Sequence, residues 1–401
     1  MIRISVSIAA VILSAGLSSV SVADPIATEP PQADPIKTLV GRLNLDAYKA
    51  TIKGLTKFGD RRQGTSRNRA AIDWIEAQLK SYGCSDVSRL KYSYSPADAR
   101  RPSGPHIVRD PDISVGGARY RGVRAPTGVN EDPTRQPDVK LRALDTPPSE
   151  AGRREEVYCT KIGTTHPDEM YIVGAHMDGI GWGEAANDDG SGAALVMEVA
   201  RILSAPGVKT ERSIRFALWN NEETGLDGSW AYVTQRAALQ GIEQPPGSDR
   251  YPEPKWLGMV QHDMMMFDHG MPRPDGTLSK DQRPEADVNI EFQSLAKAAD
   301  GAQKLAWAFY AANEAYATDY PASVGPHMTN TDSTPFMDLI PAISLRENDR
   351  GREIGAGWDP QWHQPTDVYA TYSDADFRLG LNAAQTTLGA IGRLAGATLS
   401  P

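Results

Sequence analysis

A chain of 401 residues with a formal charge of −9 has material for one large buried core or two ordinary ones. The negative balance argues against a nucleic-acid groove and against docking on an anionic membrane surface.

The N-terminus is the first informative stretch. Arg3 gives a short basic region, Ile4 to Leu17 is an almost unbroken small and apolar run, and Ser21-Val22-Ala23 offers small residues at −3 and −1. That is the pattern of a secretory signal peptide cut after Ala23, which predicts a secreted or periplasmic protein. The run is short for a membrane span, no later segment approaches it, and no cysteine follows the cut to carry a lipid. Asp24 to Pro35 is rich in proline and alanine and reads as a loose lead-in to a domain over residues 36–401.

Ile36 to Phe58 has a helical pattern. Ser66 to Tyr82 opens on serine and sets Ala70, Ile72, Trp74, Ile75 and Leu79 at helical spacing. Cys84 precedes a β-like segment, Val87 to Tyr94, and Cys159 follows another at Val157-Tyr158. In an oxidising compartment the two form a disulfide if those strands are neighbours; two buried thiols are the alternative left open. Neither has a second Cys or His at ligand spacing. From Pro96 to Arg154 the texture turns to Arg, Pro, Gly and Asp, with apolar residues only at Tyr120 to Val123 and Val139 to Leu144. This reads as an insertion with little core of its own, either a cover over a site or a surface loop.

Val157 to Gly396 then alternates strand-like and helix-like patterns. Met170 to Ala175, Ser213 to Trp219, Trp256 to Val260 and Ala342 to Leu345 read as strands; Gly192 to Ser204, Ser229 to Leu239, Leu295 to Thr318 and Asp374 to Gly396 read as helices. Such alternation predicts an α/β fold, a three-layer sandwich with a mixed, largely parallel central sheet flanked by helices.

Five acid and histidine positions fall in loops between these segments. They are His176 in Ala-His-Met-Asp, Asp188 in Asn-Asp-Asp-Gly-Ser-Gly, Glu223 in Asn-Asn-Glu-Glu-Thr-Gly, Asp263 in Gln-His-Asp-Met and His363 in Trp-His-Gln-Pro-Thr-Asp. His176, Glu222-Glu223 and Asp263 each follow a predicted strand, so they can meet at one edge of the sheet, where open α/β sheets build their sites. Two imidazoles and three carboxylates, with a spare glutamate beside one of them, are what two zinc ions need to activate a water. Each position has a bland reading alone: a loop histidine, a helix cap at Asp188-Asp189, a solvated turn at Glu222-Glu223. Adjacent carboxylates beside a buried strand are costly, and a divalent cation removes the repulsion. Asp178, two residues after His176, can accept from the other ring nitrogen.

The order His-x-Asp, twelve residues from His176 to Asp188 in an Asp-Asp-Gly-Ser-Gly context, then Glu-Glu, Asp-Met and a late His-x-Pro-x-Asp resembles the M28 family of zinc aminopeptidases and carboxypeptidases. The likeness runs from about Ile36, where Lys57-Phe58-Gly59-Asp60-Arg61 looks like the family's opening, to the last helix. It implies a co-catalytic pair of zinc ions, one held by His176 and Asp263, the other by Glu223 and His363, with Asp188 bridging. It implies Glu222 as the general base on a metal-bridged water, since a base must sit near the water without being a ligand itself. Asp178 is the supporting carboxylate, and the substrate is a peptide or aminoacyl group. The chain departs from the family at Gly179, where serine is common, at Thr331 to Phe336, where many members have Ser-Asp-His, and at Trp362, where some carry a tyrosine. His262, His269 and His327 lie near motif segments and read chiefly as structural.

Trp182, Met264 to Phe267, Trp358 and Trp362 are close in sequence to the expected ligands, and either line an apolar side-chain pocket or belong to the core. Arg346, Glu347 and Arg350 are candidates for gripping a substrate terminus. An arginine on a carboxylate would mean a carboxypeptidase, acids on an ammonium an aminopeptidase, and the acidity of the site favours the latter. A glutaminyl cyclase-like acyltransferase with one zinc and a binding protein without catalysis are the rivals. The full donor set argues against the first and Glu222 against the second.

Overall fold

The computed structural model describes residues 34–96, 132–144, 150–180, 183–267, 288–326, 328, 330–347, 359 and 361–400. The expected signal peptide and most of the lead-in lie outside the described residues, as do Trp182, His269, His327, Arg350 and Trp358. Among the described residues no helix is long and apolar enough to cross a membrane.

The described residues open on three helices, α1 (Pro35–Val40), α2 (Leu45–Thr56) and α3 (Ser66–Ser81). The single helix expected over 36–58 is two, because the first stops at Gly41 and the Asn44 side chain starts the second by accepting from the Ala47 N–H at 2.8 Å. In α3 the cap is Thr65, one residue before the expected serine, accepting from the Asn68 N–H at 3.2 Å. The chain continues through β1 (Asp86–Tyr94), the single-turn α4 (Val139–Arg142), β2 (Gly152–Lys161), β3 (His166–His176) and α5 (Gly190–Leu203). Next come β4 (Val208–Lys209), β5 (Arg212–Trp219), α6 (Asp227–Arg236), β6 (Lys255–His262), β7 (Val288–Phe292) and α7 (Ala299–Tyr316). The last elements are β8 (Ala322–Gly325), β9 (Ala342–Arg346), α8 (Asp374–Leu394) and β10 (Thr398–Leu399).

Among the described residues, eight strands form one sheet in the order β1-β2-β5-β3-β6-β9-β7-β8, and β10 pairs with β4 in a separate ribbon. The centre, β5-β3-β6-β9, is parallel. β1, β2 and β5 pair antiparallel at one side; β7 is antiparallel to β9 and parallel to β8 at the other. Alternation along the central strands divides the core. Val173, Ala175, Ile214, Phe216 and Leu218 pack on the face covered by α5, while Met170, Ile172, Ala217 and Trp219 pack with Tyr232 of α6 and Phe336 on the other. This is the expected three-layer α/β arrangement. In α5 every residue except Arg201 is buried, since the helix lies between the sheet and the helices α2 and α8.

One expectation needs adjusting, and one alternative left open is decided. The insertion read over 96–154 ends earlier, because Gly152, Arg153 and Arg154 already pair with Tyr94, Ser93 and Tyr92 in the sheet. Cys84 and Cys159 are joined, with Cα atoms 6.1 Å apart. Val87 lies opposite Cys159 in the β1–β2 pairing, which brings Cys84, two residues before β1, close to Cys159.

His262, at the end of β6, belongs to the core. Its Nδ1 lies 3.0 Å from the Gly174 carbonyl oxygen and its Nε2 2.8 Å from the Thr387 hydroxyl. A neutral ring satisfies both, donating to the carbonyl and accepting from the hydroxyl. Burial pushes its pKa down to about 4 from the usual 6.5. The unfolded chain therefore binds more protons between these values, and stability is present above pH 6.5 and lost as pH falls toward 4, by about 3 kcal/mol from this residue. Urea unfolding of wild type and His262→Gln at pH 7 and pH 4.5 should show a shallower pH dependence in the variant; equal slopes would refute this account.

Candidate active site

The carboxyl ends of β5, β3 and β6 are neighbours, with His176 level with Trp219 and Ala175 level with His262. His176 ends β3 and Asp263 directly follows β6. After β5, Asn220 and Asn221 lead into a single 3₁₀ turn, Glu222–Thr224. Asn221, Met264 and His363 adopt left-handed backbone, with φ of 66°, 62° and 55°. Each is a candidate ligand or adjoins a candidate ligand or the candidate base, and such strain in residues other than glycine clusters at functional sites.

All five predicted positions converge, together with Glu222. One ligand atom each from His176, Glu222 and Asp263 lies within 4.8 Å of the others, and the same holds for Asp188, Glu223 and His363. Asp188 stands between the two sets. Its Oδ1 is 3.2 Å from His176 Nε2 and its Oδ2 3.1 Å from His363 Nε2. Glu223 Oε2 is 3.0 Å from His363 Nε2, and Asp263 Oδ1 is 4.0 Å from His176 Nε2.

The supporting contacts explain how the loops hold this geometry. His176 Nδ1 lies 3.0 Å from the backbone carbonyl of Asp178 and 3.7 Å from its carboxylate. The acceptor is thus the main chain of Asp178 rather than its side chain, and it turns Nε2 toward Asp188. The Asp178 carboxylate instead accepts from the Glu222 N–H at 3.2 Å, tying the turn after β5 to the loop after β3. The Asp189 carboxylate is taken up by backbone N–H groups. It caps α5 by accepting from Gly192 N–H at 2.9 Å and also accepts from the N–H groups of His176 and Met264. A side chain at Gly192 would meet the Asp189 carboxylate at 2.5 Å and the His262 carbonyl at 2.8 Å, so only glycine admits this close approach.

Asp367, the last residue of the His-x-Pro-x-Asp stretch, had no predicted role. It accepts from the N–H groups of Asn187 and Asp188 at 2.8 and 3.1 Å, and the Tyr372 hydroxyl is 2.9 Å away. It therefore fixes the backbone of Asp188 from the segment that carries His363. Burial, and Asp359 beside it, push its pKa up to about 7.

Electrostatics test whether divalent cations fit. Burial pushes Glu222 well up and Glu223 up, with Asp263 adding to the first and Asp188 to the second. Burial works against protonation of the two imidazoles. The carboxylates of Asp178 and Asp188 nonetheless raise His176 well above its ordinary value, and Glu223 and Asp188 raise His363 to about 9. Burial would raise Asp188 too, but the two histidines hold it well below the carboxylate range. The Glu223 Oε1 is buried without a hydrogen-bond partner. The cluster thus demands more positive charge than protons on two rings supply, and its donors, two imidazoles among carboxylates, suit zinc.

Other expectations are corrected by burial. Arg346 and Glu347 do not face a substrate, being 1% exposed each. Arg346 pairs with Asp263 at 2.5 Å, and Glu347 accepts from Asn187 and from the N–H groups of Met266 and Phe267. Met264 to Phe267 are core rather than pocket, all at most 2% exposed. Trp362 is half-buried and stacks on His363, with ring centroids 4.0 Å apart. A small cleft at the site is lined by Asp60, Ile180, Gly183, Asp188, Glu223 and His363, among others.

The chain is similar to known proteins. The profile of Peptidase family M28 matches residues 157–385, more than half of the chain. An aminopeptidase of Pseudomonas aeruginosa is 42% identical over 130 residues, 32% of this chain and 24% of that protein. Carboxypeptidase Q of Xenopus laevis is 34% identical over 89 residues, 22% of this chain and 19% of that protein. The matched stretches thus span less than a quarter of these relatives' lengths. Among solved structures, the zinc aminopeptidase BSAP of Bacillus subtilis superimposes with a TM-score of 0.55 at 16% identity, covering 88% of this chain and 95% of its own. A glutaminyl cyclase of Porphyromonas gingivalis gives 0.51 at 17% identity, covering 88% and 99%. At such identities these likenesses concern the fold. The profile match decides the family: this chain belongs to peptidase family M28.

Proposed function

We propose that the chain is a zinc-dependent exopeptidase, an aminopeptidase holding two zinc ions. The observation that carries this reading is the position of Asp188, whose two oxygens each face one histidine of two donor triads. In this reading His176 and Asp263 hold one ion, Glu223 and His363 the other, and Asp188 serves both. Zinc held there supplies Lewis acidity toward the scissile carbonyl and lowers the pKa of a bound water to near ~7.

The chain's own residues do the rest. Glu222 takes the proton of the attacking water and delivers it to the leaving amine. Its neighbour Glu223 is directed to His363, so the two adjacent carboxylates divide base and ligand between them. Asp178 holds Glu222 through its backbone N–H and His176 through its own carbonyl. The acids at the cleft favour a substrate ammonium. Arg346, the candidate for gripping a carboxylate, is committed to Asp263, which weighs against a carboxypeptidase. Two donor groups, His176 with Asp263 and Glu223 with His363, joined by Asp188, also favour a hydrolase over a one-zinc cyclase. The Cys84–Cys159 disulfide supports an exported, oxidising location, secreted or periplasmic. Segment 96–151 is read as an insertion.

Thorough chelation should abolish activity, and zinc should restore it with about two ions bound per chain. A panel of chromogenic aminoacyl and C-terminal peptide substrates should show turnover of the aminoacyl set. Full activity after demetallation would overturn the metal mechanism. Turnover of C-terminal substrates alone would make it a carboxypeptidase, and one bound zinc with cyclisation of N-terminal glutamine would make it a cyclase.

A further inference from the structure

Arg346 is an unusual neighbour for a metal ligand. It ends β9, is 1% exposed, and directs Nη2 to Asp263 Oδ2 at 2.5 Å. Its Nε and Nη1 are buried without hydrogen-bond partners, and Glu291 and Glu222 are the other anions near it. A buried guanidinium is costly unless paired, so Asp263 anchors it. The two carboxylate oxygens of Asp263 are thereby divided, Oδ2 toward Arg346 and Oδ1 toward His176. Nothing comparable holds Glu223 Oε1, which is buried without a hydrogen-bond partner.

We infer that Arg346 is a positioning residue that keeps Asp263 a one-oxygen ligand, weakening the ion on the His176 side and leaving it an open position for substrate. The inference rests on the two-zinc reading above. A catalytic zinc must keep an open position, and a carboxylate offering both oxygens would fill it. Outer-sphere carboxylates raise the basicity of the ligands they touch. A guanidinium does the reverse, drawing charge from Asp263 and repelling the cation. Removing an ordinary supporting residue weakens metal binding, whereas removing Arg346 should tighten it.

Calorimetric titration of zinc into the chelator-stripped full chain tests this. Wild type should show a tighter and a weaker site, with Asp263→Asn abolishing the weaker one. Arg346→Met should tighten that weaker site about tenfold, within the range outer-sphere residues command, while raising KM for aminoacyl substrates. Arg346→Lys, which keeps the charge, should remain near wild type in both. Arg346→Gln, neutral but still able to donate to Oδ2, serves if the methionine variant does not fold, and should tighten the site in the same direction. Unchanged or weakened zinc binding in a folded neutral variant would overturn the inference while leaving the two-zinc reading intact. Failure of wild type to bind zinc would instead remove that reading.

Discussion

Glu222→Gln is expected to lower turnover by ~10²–10⁴, the contribution of a well-placed general base, while the protein still binds its metal ions. Glutamine keeps the size and the backbone hydrogen bond to Asp178 but has no basic carboxylate. Turnover measured alongside metal content separates this from a ligand's loss: Glu223→Gln should lower metal affinity as well. The position of Glu222 adds a condition. Its carboxylate lies within 4.8 Å of ligand atoms from His176 and Asp263, so it is close enough to coordinate if the site is distorted. A Glu222→Gln enzyme that is as active as wild type would remove it from the mechanism. Metal loss together with activity would reassign it as a ligand.

Breaking the Cys84–Cys159 bond should be the largest single loss of stability. The bond closes a loop of 75 residues in sequence separation, and constraining an unfolded loop of that length is worth about 4 kcal/mol. It joins the end of the α3 region to β2, inside the core that α2, α3 and α5 share with the sheet. Urea midpoints for wild type and the double variant Cys84→Ala, Cys159→Ala check the value, as does wild type with and without reductant. Because Cys159 pairs with Phe216 of β5, short of the strand end where the candidate ligands gather, activity at low temperature should persist. A midpoint unaffected by both treatments would show that the bond contributes nothing to the native state.

Most of the site was legible because its residues obey a local rule. A strand in a parallel sheet ends at the edge where sites form, so a polar residue just past an apolar run has a definable place. His176, Glu222-Glu223 and Asp263 were found this way, and the pattern of the late His363 completed the set. The layers were legible too, since the periodicities of Met170 to Ala175 and of Leu195 to Leu203 each permit one kind of element. What was missed depends on partners far away in the chain. Asp367 reads as an ordinary loop acid until its bonds to Asn187 and Asp188 are seen. Arg346 and Glu347 look like surface charges after a strand, yet their burial inverts that meaning. The short strands β7 and β8 carry too few residues to show a period of two.

Periodicity and strand ends were enough to determine the α/β class, and the ordered motifs, through their resemblance to a known family, pointed to that family and to the set of acids and histidines at issue. Only the tertiary structure decided which oxygen faces which ring, that Cys84 and Cys159 are bonded, and that Arg346 serves Asp263 rather than a substrate. The reason is physical: hydrophobic periodicity is a property of neighbours along the chain, whereas pairing and burial of charge depend on distances set by strand register and packing.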